Sequence, residues 1–215
     1  MKLDCFFLTA LLPLGFAGPS HAQVFFSNLL EPDALPFSGS SGVRLATDFL
    51  TDGAAWTIDS LTARMANSSS GDLHVSFSIF TNGSDRPDTL VGLFETPATV
   101  PANTLLSGLF TATSSGINLQ ANTRYWVVAQ QNEVGSAGLS WRSTTSEATS
   151  EGSFSTVPST PILISLDEGE TYFPTGAGNP IYSLSGAPIP EPQTWLALLV
   201  TVGTFSTFRW WTNRK

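Results

Sequence analysis

The sequence predicts an all-β protein: an antiparallel β-sandwich of the jelly-roll or immunoglobulin-like kind, flanked by an N-terminal signal helix and a C-terminal transmembrane helix. Several stretches alternate apolar and polar residues with period two, the mark of strands with one wet face. Gly/Asn/Asp/Pro clusters separate them, as hairpin turns require. Outside the two ends no stretch holds a 3.6-residue period, so about nine to eleven short strands are expected.

The amino terminus, MKLDCFFLTALLPLGFAGPSHAQ, places Lys2 before an apolar run and ends it in Ser20-His21-Ala22. Charge, apolar core and small-residue site follow the order of a secretory signal peptide, residues 1–22, with cleavage after Ala22. A buried N-terminal helix is the alternative, but Pro13 would break it.

Cleavage removes Cys5 and His21 and leaves a body, 23–187, with no cysteine and one histidine, His74. Without disulfides, this body must be stable through its own core, and its length suffices for one domain. It carries arginines at 44, 64, 86, 124 and 142, no lysine and fifteen acidic residues, a net charge near minus ten. Nucleic acid is excluded as a partner, because its phosphates need Lys and Arg to neutralise them. An acidic, Ser/Thr-rich exterior suits a dispersed secreted protein and leaves cations or neutral sugars as ligand classes.

Within the body, VRLATDFL at 43–50 and WTIDSLTARM at 56–65 read as strands. LHVSFSIF at 73–80 is the clearest: Leu73, Val75, Phe77 and Ile79 face a core, and His74, Ser76 and Ser78 face water. TRYWVVAQ at 123–130 is β-branched and aromatic throughout, as expected of a strand buried on both faces. NSSSGD at 67–72, TNGSDRPD at 81–88 and NEVGSAG at 132–138 read as turns, and LSG at 106–108 and 184–186 reads as small-residue turns. ILISL at 162–166 and IYSL at 181–184 complete the strand set, and SGAPIPEPQ is a proline-stiffened linker whose core spans 188–193.

Residues 194–215 form the last segment. From Trp195 to Phe208 there is no charged residue, and Arg209, Arg214 and Lys215 follow on the C-terminal side, which assigns that flank to the cytoplasm. As a helix, the apolar run covers about 22 Å against a hydrocarbon core of about 30 Å. Trp210, Trp211 and a snorkelling Arg209 extend it toward a full span.

A signal peptide, an extracytoplasmic body, Pro190-Glu191-Pro192, a short apolar helix and a basic tip together resemble the PEP-CTERM sorting architecture of Gram-negative bacteria. The resemblance implies recognition of the tail by an exosortase-type sorting enzyme in the inner membrane. It also implies passage of the body to the cell surface or extracellular matrix, often in organisms that make exopolysaccharide. The tail departs from the family pattern in its threonines (Thr201, Thr204, Thr207) and in the tryptophans after Arg209. A permanent single-span anchor is the alternative.

A second resemblance covers roughly 24–150. Leu61 and Arg64 on one strand, Val75–Ile79 followed by a Gly/Asp/Pro loop and Leu90, and the block at Leu119, Ala121, Asn122, Thr123, Tyr125 and Trp126 are similar to the choice-of-anchor R domain. That family is a β-rich exported module and supplies no catalytic residues to carry over.

Catalytic patterns are absent from the sequence. A serine triad needs a histidine, and His74 sits among serines on a wet face; no G-x-S-x-G elbow occurs. Zinc needs more His and Cys than the body has. Two loop carboxylates would suffice for a glycosidase, so a secreted carbohydrate-active enzyme is the second functional class. Calcium takes hard oxygen donors from loops, which singles out Asp85 and Asp88, and Asp167, Glu168 and Glu170, although neither loop matches an EF-hand and solvated acidic turns explain both. Trp126 is expected in the core, whereas Trp141, between Ser140 and Arg142, is open to either a core or a sugar-stacking role. Asn67-Ser68-Ser69 and Asn82-Gly83-Ser84 fit the N-glycosylation pattern, which carries little weight in a bacterial setting. No cofactor is implied. The expected function is that of a non-catalytic, exported envelope or matrix protein with extracellular polysaccharide as a candidate partner.

Overall fold

The computed structural model describes residues 23–30, 32, 35–39, 42–95, 97–132, 138–144, 154, 162–175 and 178–190. The leader with Ala22, the tail from Glu191 with Pro192, Arg209, Arg214 and Lys215, and most of the 132–138 turn lie outside them. The described chain forms two antiparallel sheets of seven strands each, with no helix.

The first sheet contains β1 (Gln23–Ser27), β2 (Leu35–Gly39), β4 (Trp56–Asn67), β8 (Thr104–Leu119), β10 (Leu139–Thr144), β13 (Asn179–Pro180) and β14 (Tyr182–Pro188). One edge of β4 carries β8 along its length; the other carries β14 from Trp56 to Ala63 and then β10 from Met65 to Asn67. β1 closes the sheet beyond β14, and β2 and β13 pair with β10. The second sheet runs β12 (Phe173–Pro174), β11 (Leu163–Ser165), β3 (Arg44–Leu50), β9 (Arg124–Gln131), β5 (Leu73–Asn82) and β6 (Pro87–Leu93), with β7 (Ala98–Val100) beside the start of β5.

One continuous apolar core joins the two sheets, an arrangement compatible with a sandwich. Phe77 of β5 meets Trp141 of β10 edge-on at 5.7 Å, and Trp141 meets Tyr182 of β14 at 5.9 Å. Farther along, Phe154 stacks on Phe49 of β3 at 5.6 Å and lies edge-on to Trp56 of β4 at 5.7 Å. Such offset and edge-on pairs add to the area each ring buries. Buried Asn28 ties the end of β1 to the start of β14, donating to the Pro180 carbonyl at 2.8 Å and accepting the Tyr182 N–H at 2.7 Å.

The expected strands are present with their expected faces. Leu73, Val75, Phe77 and Ile79 are fully buried and His74 is exposed. On β9, Tyr125, Val127 and Ala129 enter the main core. Trp126 and Val128 enter a second cluster on the other face with Ala46 and Leu163, so this central strand is buried on both sides.

Other expectations are corrected. Fourteen strands are present among the described residues, not nine to eleven; several of the extra ones are two- or three-residue pieces that pair one sheet edge. The two LSG segments are strand, not turn: 106–108 lies within β8 and 184–186 within β14. In β14 the glycine is needed for packing: a Cβ at Gly186 would stand 1.9 Å from the Thr57 carbonyl oxygen. β14 also runs on to Pro188, so the last strand takes in residues expected to begin the linker.

Candidate functional surface

The acidic loops come first. Hairpin β5–β6 turns through Ser84 (φ 53) and Asp85 (φ 60), with the Gly83 N–H donated to the Arg86 carbonyl at 2.9 Å. Two successive left-handed residues match the right-handed twist of the flanking strands. Asp85 does not face an open site: its carboxylate accepts Arg124 Nη1 at 2.5 Å. Arg124 Nε binds Asp48 at 2.5 Å, and its guanidinium lies 5.2 Å from the Trp126 ring centre. The Trp126 indole N–H donates to Asn82 Oδ1 at 2.9 Å. Asp88 accepts from the Thr89 hydroxyl at 3.2 Å.

The second acidic loop is a self-contained turn between β11 and β12. Asp167 accepts from the Thr171 N–H at 2.9 Å, from the Ser165 hydroxyl at 2.8 Å and from the Thr171 hydroxyl. These bonds, led by the Thr171 hydroxyl, lower its pKa to about 2. Glu168 (φ 58) and Gly169 (φ 97) make the reversal, with the Gly169 N–H donated to Ser165 Oγ at 2.7 Å. Asp85 and Asp167 are thus committed to intramolecular partners, and among the described residues no group of three or more His, Cys, Asp or Glu could hold a metal ion.

Trp141, left open in the sequence, is buried at 1% exposure, and its indole N–H donates to the Ile181 carbonyl at 3.2 Å. Trp56 and Trp126 are buried as well, so none of the three offers a platform for a sugar ring. Asn67 is fully buried: its Nδ2 serves the carbonyls of Gly71, Val100 and Pro101, and its Oδ1 accepts from Ser69. That side chain organises the β4–β5 turn and is closed to glycosylation, whereas Asn82 is exposed.

The most regular polar feature is the outer face of the first sheet. The cross-strand register puts Ser27, Ser183, Thr62 and Thr111 in one row over β1, β14, β4 and β8. The next row holds Val24, Ser185, Ser60 and Thr113. Strand geometry spaces the backbones about 4.8 Å apart along a row and sets the rows about 6.8 Å apart. Thr111 and Thr113 are exposed, Ser27, Ser60, Thr62 and Ser185 are half-buried among their neighbours, and Ser183 is buried. The hydroxyls of Thr62 and Thr111 are 2.9 Å apart, and Thr57 donates to Asn118 Oδ1 at 2.9 Å in a third row. Arg64, beside Leu109, bounds the face, with its guanidinium turned to the Leu29 carbonyl; Asp59 is the residue inserted at the β4 bulge.

Sequence reasoning registered a Ser/Thr-rich exterior but not this lattice. Its signal is small-polar alternation, Thr-Ala-Thr at 111–113 and Ser-Leu-Ser at 183–185, which becomes a surface only once the register aligns the strands.

Of the expected sorting motif, Pro190 is described and exposed, two residues past the end of β14. The Ile189 N–H donates to the Ala55 carbonyl at 2.8 Å and fixes the point where the chain leaves the sheet. No helix among the described residues is long and apolar enough to cross a membrane; the 194–215 segment lies outside them. No protein-family model matches the chain, and no curated protein matches it.

Proposed function

We propose that this is a non-catalytic protein of the cell envelope or extracellular matrix: a β-sandwich of the jelly-roll or immunoglobulin-like kind, exported by its leader and sorted through a PEP-CTERM tail. On this reading, residues 1–22 are removed after Ala22 and the Trp195–Phe208 segment with its Arg209, Arg214 and Lys215 tip holds the chain in the inner membrane. An exosortase-type enzyme then acts near Pro190-Glu191-Pro192 and the body passes outward to meet extracellular polysaccharide.

The observation that carries the reading is the junction at 188–190. The fold is secured up to Ile189 by its bond to Ala55, and the tripeptide starts exposed at the next residue. On this reading a processing enzyme acts just beyond the last bond that holds the sheet, without unfolding the body. A cysteine-free, lysine-free acidic body also fits a location outside the cytosol, where solubility rests on net charge. The carbohydrate-active enzyme is the weaker reading, because the Asp85 and Asp167 carboxylates are engaged by Arg124 and Thr171.

Fractionation of the producing cells tests the proposal. The expected result is body antigen at the surface or in the matrix, and its retention in the inner membrane when Pro190, Glu191 and Pro192 are all changed to alanine. Full-length chain free in the cytosol with its leader uncut would refute it.

A further inference from the structure

We propose that Asn82-Gly83 is a self-modification site, at which the folded chain converts its own asparagine to aspartate and isoaspartate without an enzyme. The proposal does not rest on the envelope-matrix reading. Asn82-Gly83 is the only Asn-Gly step in the sequence, and it lies at the tip of the β5–β6 hairpin, where Asn82, Ser84, Asp85 and Arg86 are exposed. The reaction closes a cyclic imide: the Gly83 nitrogen bonds to the Asn82 amide carbon, the Cγ–Nδ2 bond breaks, and the Gly83 proton leaves with that nitrogen as ammonia. Water then adds across either C–N bond of the ring, and no oxidant or reductant is involved.

The hairpin supplies what this cyclisation needs. Gly83 carries no side chain to crowd its attacking nitrogen. Negative charge gathers on the amide oxygen during attack, and the Trp126 indole N–H already donates to Asn82 Oδ1 at 2.9 Å from a fully buried ring. A base must take the Gly83 proton. Asp88 packs directly over that residue, so that a Cβ at Gly83 would stand 2.6 Å from Asp88 Cβ and 3.1 Å from its Oδ2. The Gly83 N–H is donated to the Arg86 carbonyl at 2.9 Å, a bond the turn must first release. Release costs little, because the turn is exposed and Pro87, opposite Asn82, brings no N–H to the ladder.

Other asparagines lack this setting. Asn67 is buried with Nδ2 held by three carbonyls, and Asn103 and Asn122 precede threonines, whose branched Cβ crowds the attacking nitrogen. The product sets a second carboxylate near Asp85, the partner of Arg124. Its isoaspartate form also lengthens the backbone of the turn, so each chain carries a mark of its age.

The test ages the full-length chain in mild detergent and warm neutral buffer beside a synthetic peptide of residues 78–88, and follows both by peptide mapping with fragmentation that locates the site. The expected result is loss of ammonia and gain of water at residue 82, in both aspartate and isoaspartate forms, with Asn67, Asn103 and Asn122 intact. Asp88→Asn, an exposed change that keeps side-chain shape, is expected to slow the conversion about tenfold or more. Trp126→Phe is expected to slow it as well, at a temperature where the variant is folded. An Asn82 that stays intact in the folded chain while the peptide converts overturns the proposal. An unchanged rate in Asp88→Asn, or a faster one in Trp126→Phe, overturns the roles given to those side chains.

Discussion

Arg124 Nε lies 2.5 Å from a carboxylate oxygen of Asp48, across the β3–β9 pair, on a face where Asp48 is only 4% exposed. A carboxylate so buried is tolerable because a cation stands against it, and removing that cation leaves a charge in a poor solvent. The prediction is that Arg124→Met costs about 3–5 kcal/mol, whereas Asp85→Ala, which removes an 80% exposed partner of the same guanidinium, costs under about 1 kcal/mol. Urea unfolding midpoints separate the two; equal losses would mean that the inner pair has no special weight.

Much of the fold was legible because burial on one face writes a period of two into the chain. The Leu73–Ile79 strand is the plain case. WTIDSLTARM is more telling: Trp56 and Ile58, then Leu61, Ala63 and Met65, all face inward, and the phase jump between them is the bulge between Ile58 and Ser60. β8 was not legible, because its inner face mixes Ala112 and Ile117 with Gly108, its register shifts before Ile117, and Ser-Gly pairs at 107–108 and 115–116 ordinarily signal turns. Trp141 was undecided because its neighbours Ser140 and Arg142 fix an alternation but not which face is covered; the covering groups, Phe77 and Tyr182, come from distant parts of the chain. The lattice was hidden for a similar reason, since register between strands far apart in sequence is a tertiary fact.

Gly186→Ala is predicted to destabilise by about 2–3 kcal/mol or more, since the obstacle is the Thr57 backbone oxygen 1.9 Å away and β4 is held by strands on both edges. Gly83→Ala is predicted to be milder, because the atoms it meets belong to the side chain of exposed Asp88. Thermal midpoints of the two variants check the order.

Tyr182 is fully buried, and among the described residues its hydroxyl has no hydrogen-bond partner. Burial, then the charge of Asp48, pushes its pKa well above 10.0. The unfolded chain ionises this tyrosine near 10, but the folded chain resists, so its contribution is intact below about pH 10 and declines as pH rises further. Tyr182→Phe should be neutral or stabilising by about 1 kcal/mol at pH 7, with a shallower loss of stability above pH 10. Denaturant midpoints from pH 7 to 11.5 decide it; a clear loss at pH 7 would point to an unseen partner for the hydroxyl.

Asp167 is expected to titrate near pH 2, below its usual 3.8, because its hydrogen bonds to Thr171 and Ser165 favour the carboxylate. Its contribution to the β11–β12 turn is present above about pH 4 and is lost as pH falls through 2. Carboxyl-carbon NMR shifts measured from pH 6 to 1.5 read this directly, and Thr171→Val should return the midpoint toward 3.8.

Intact mass spectrometry of the protein recovered from its producing cells tests the central claim most directly. The account predicts a chain that begins at Gln23 and ends near Pro190–Pro192, with the apolar segment and basic tip removed. A mass corresponding to the whole chain from Met1 to Lys215 would contradict it.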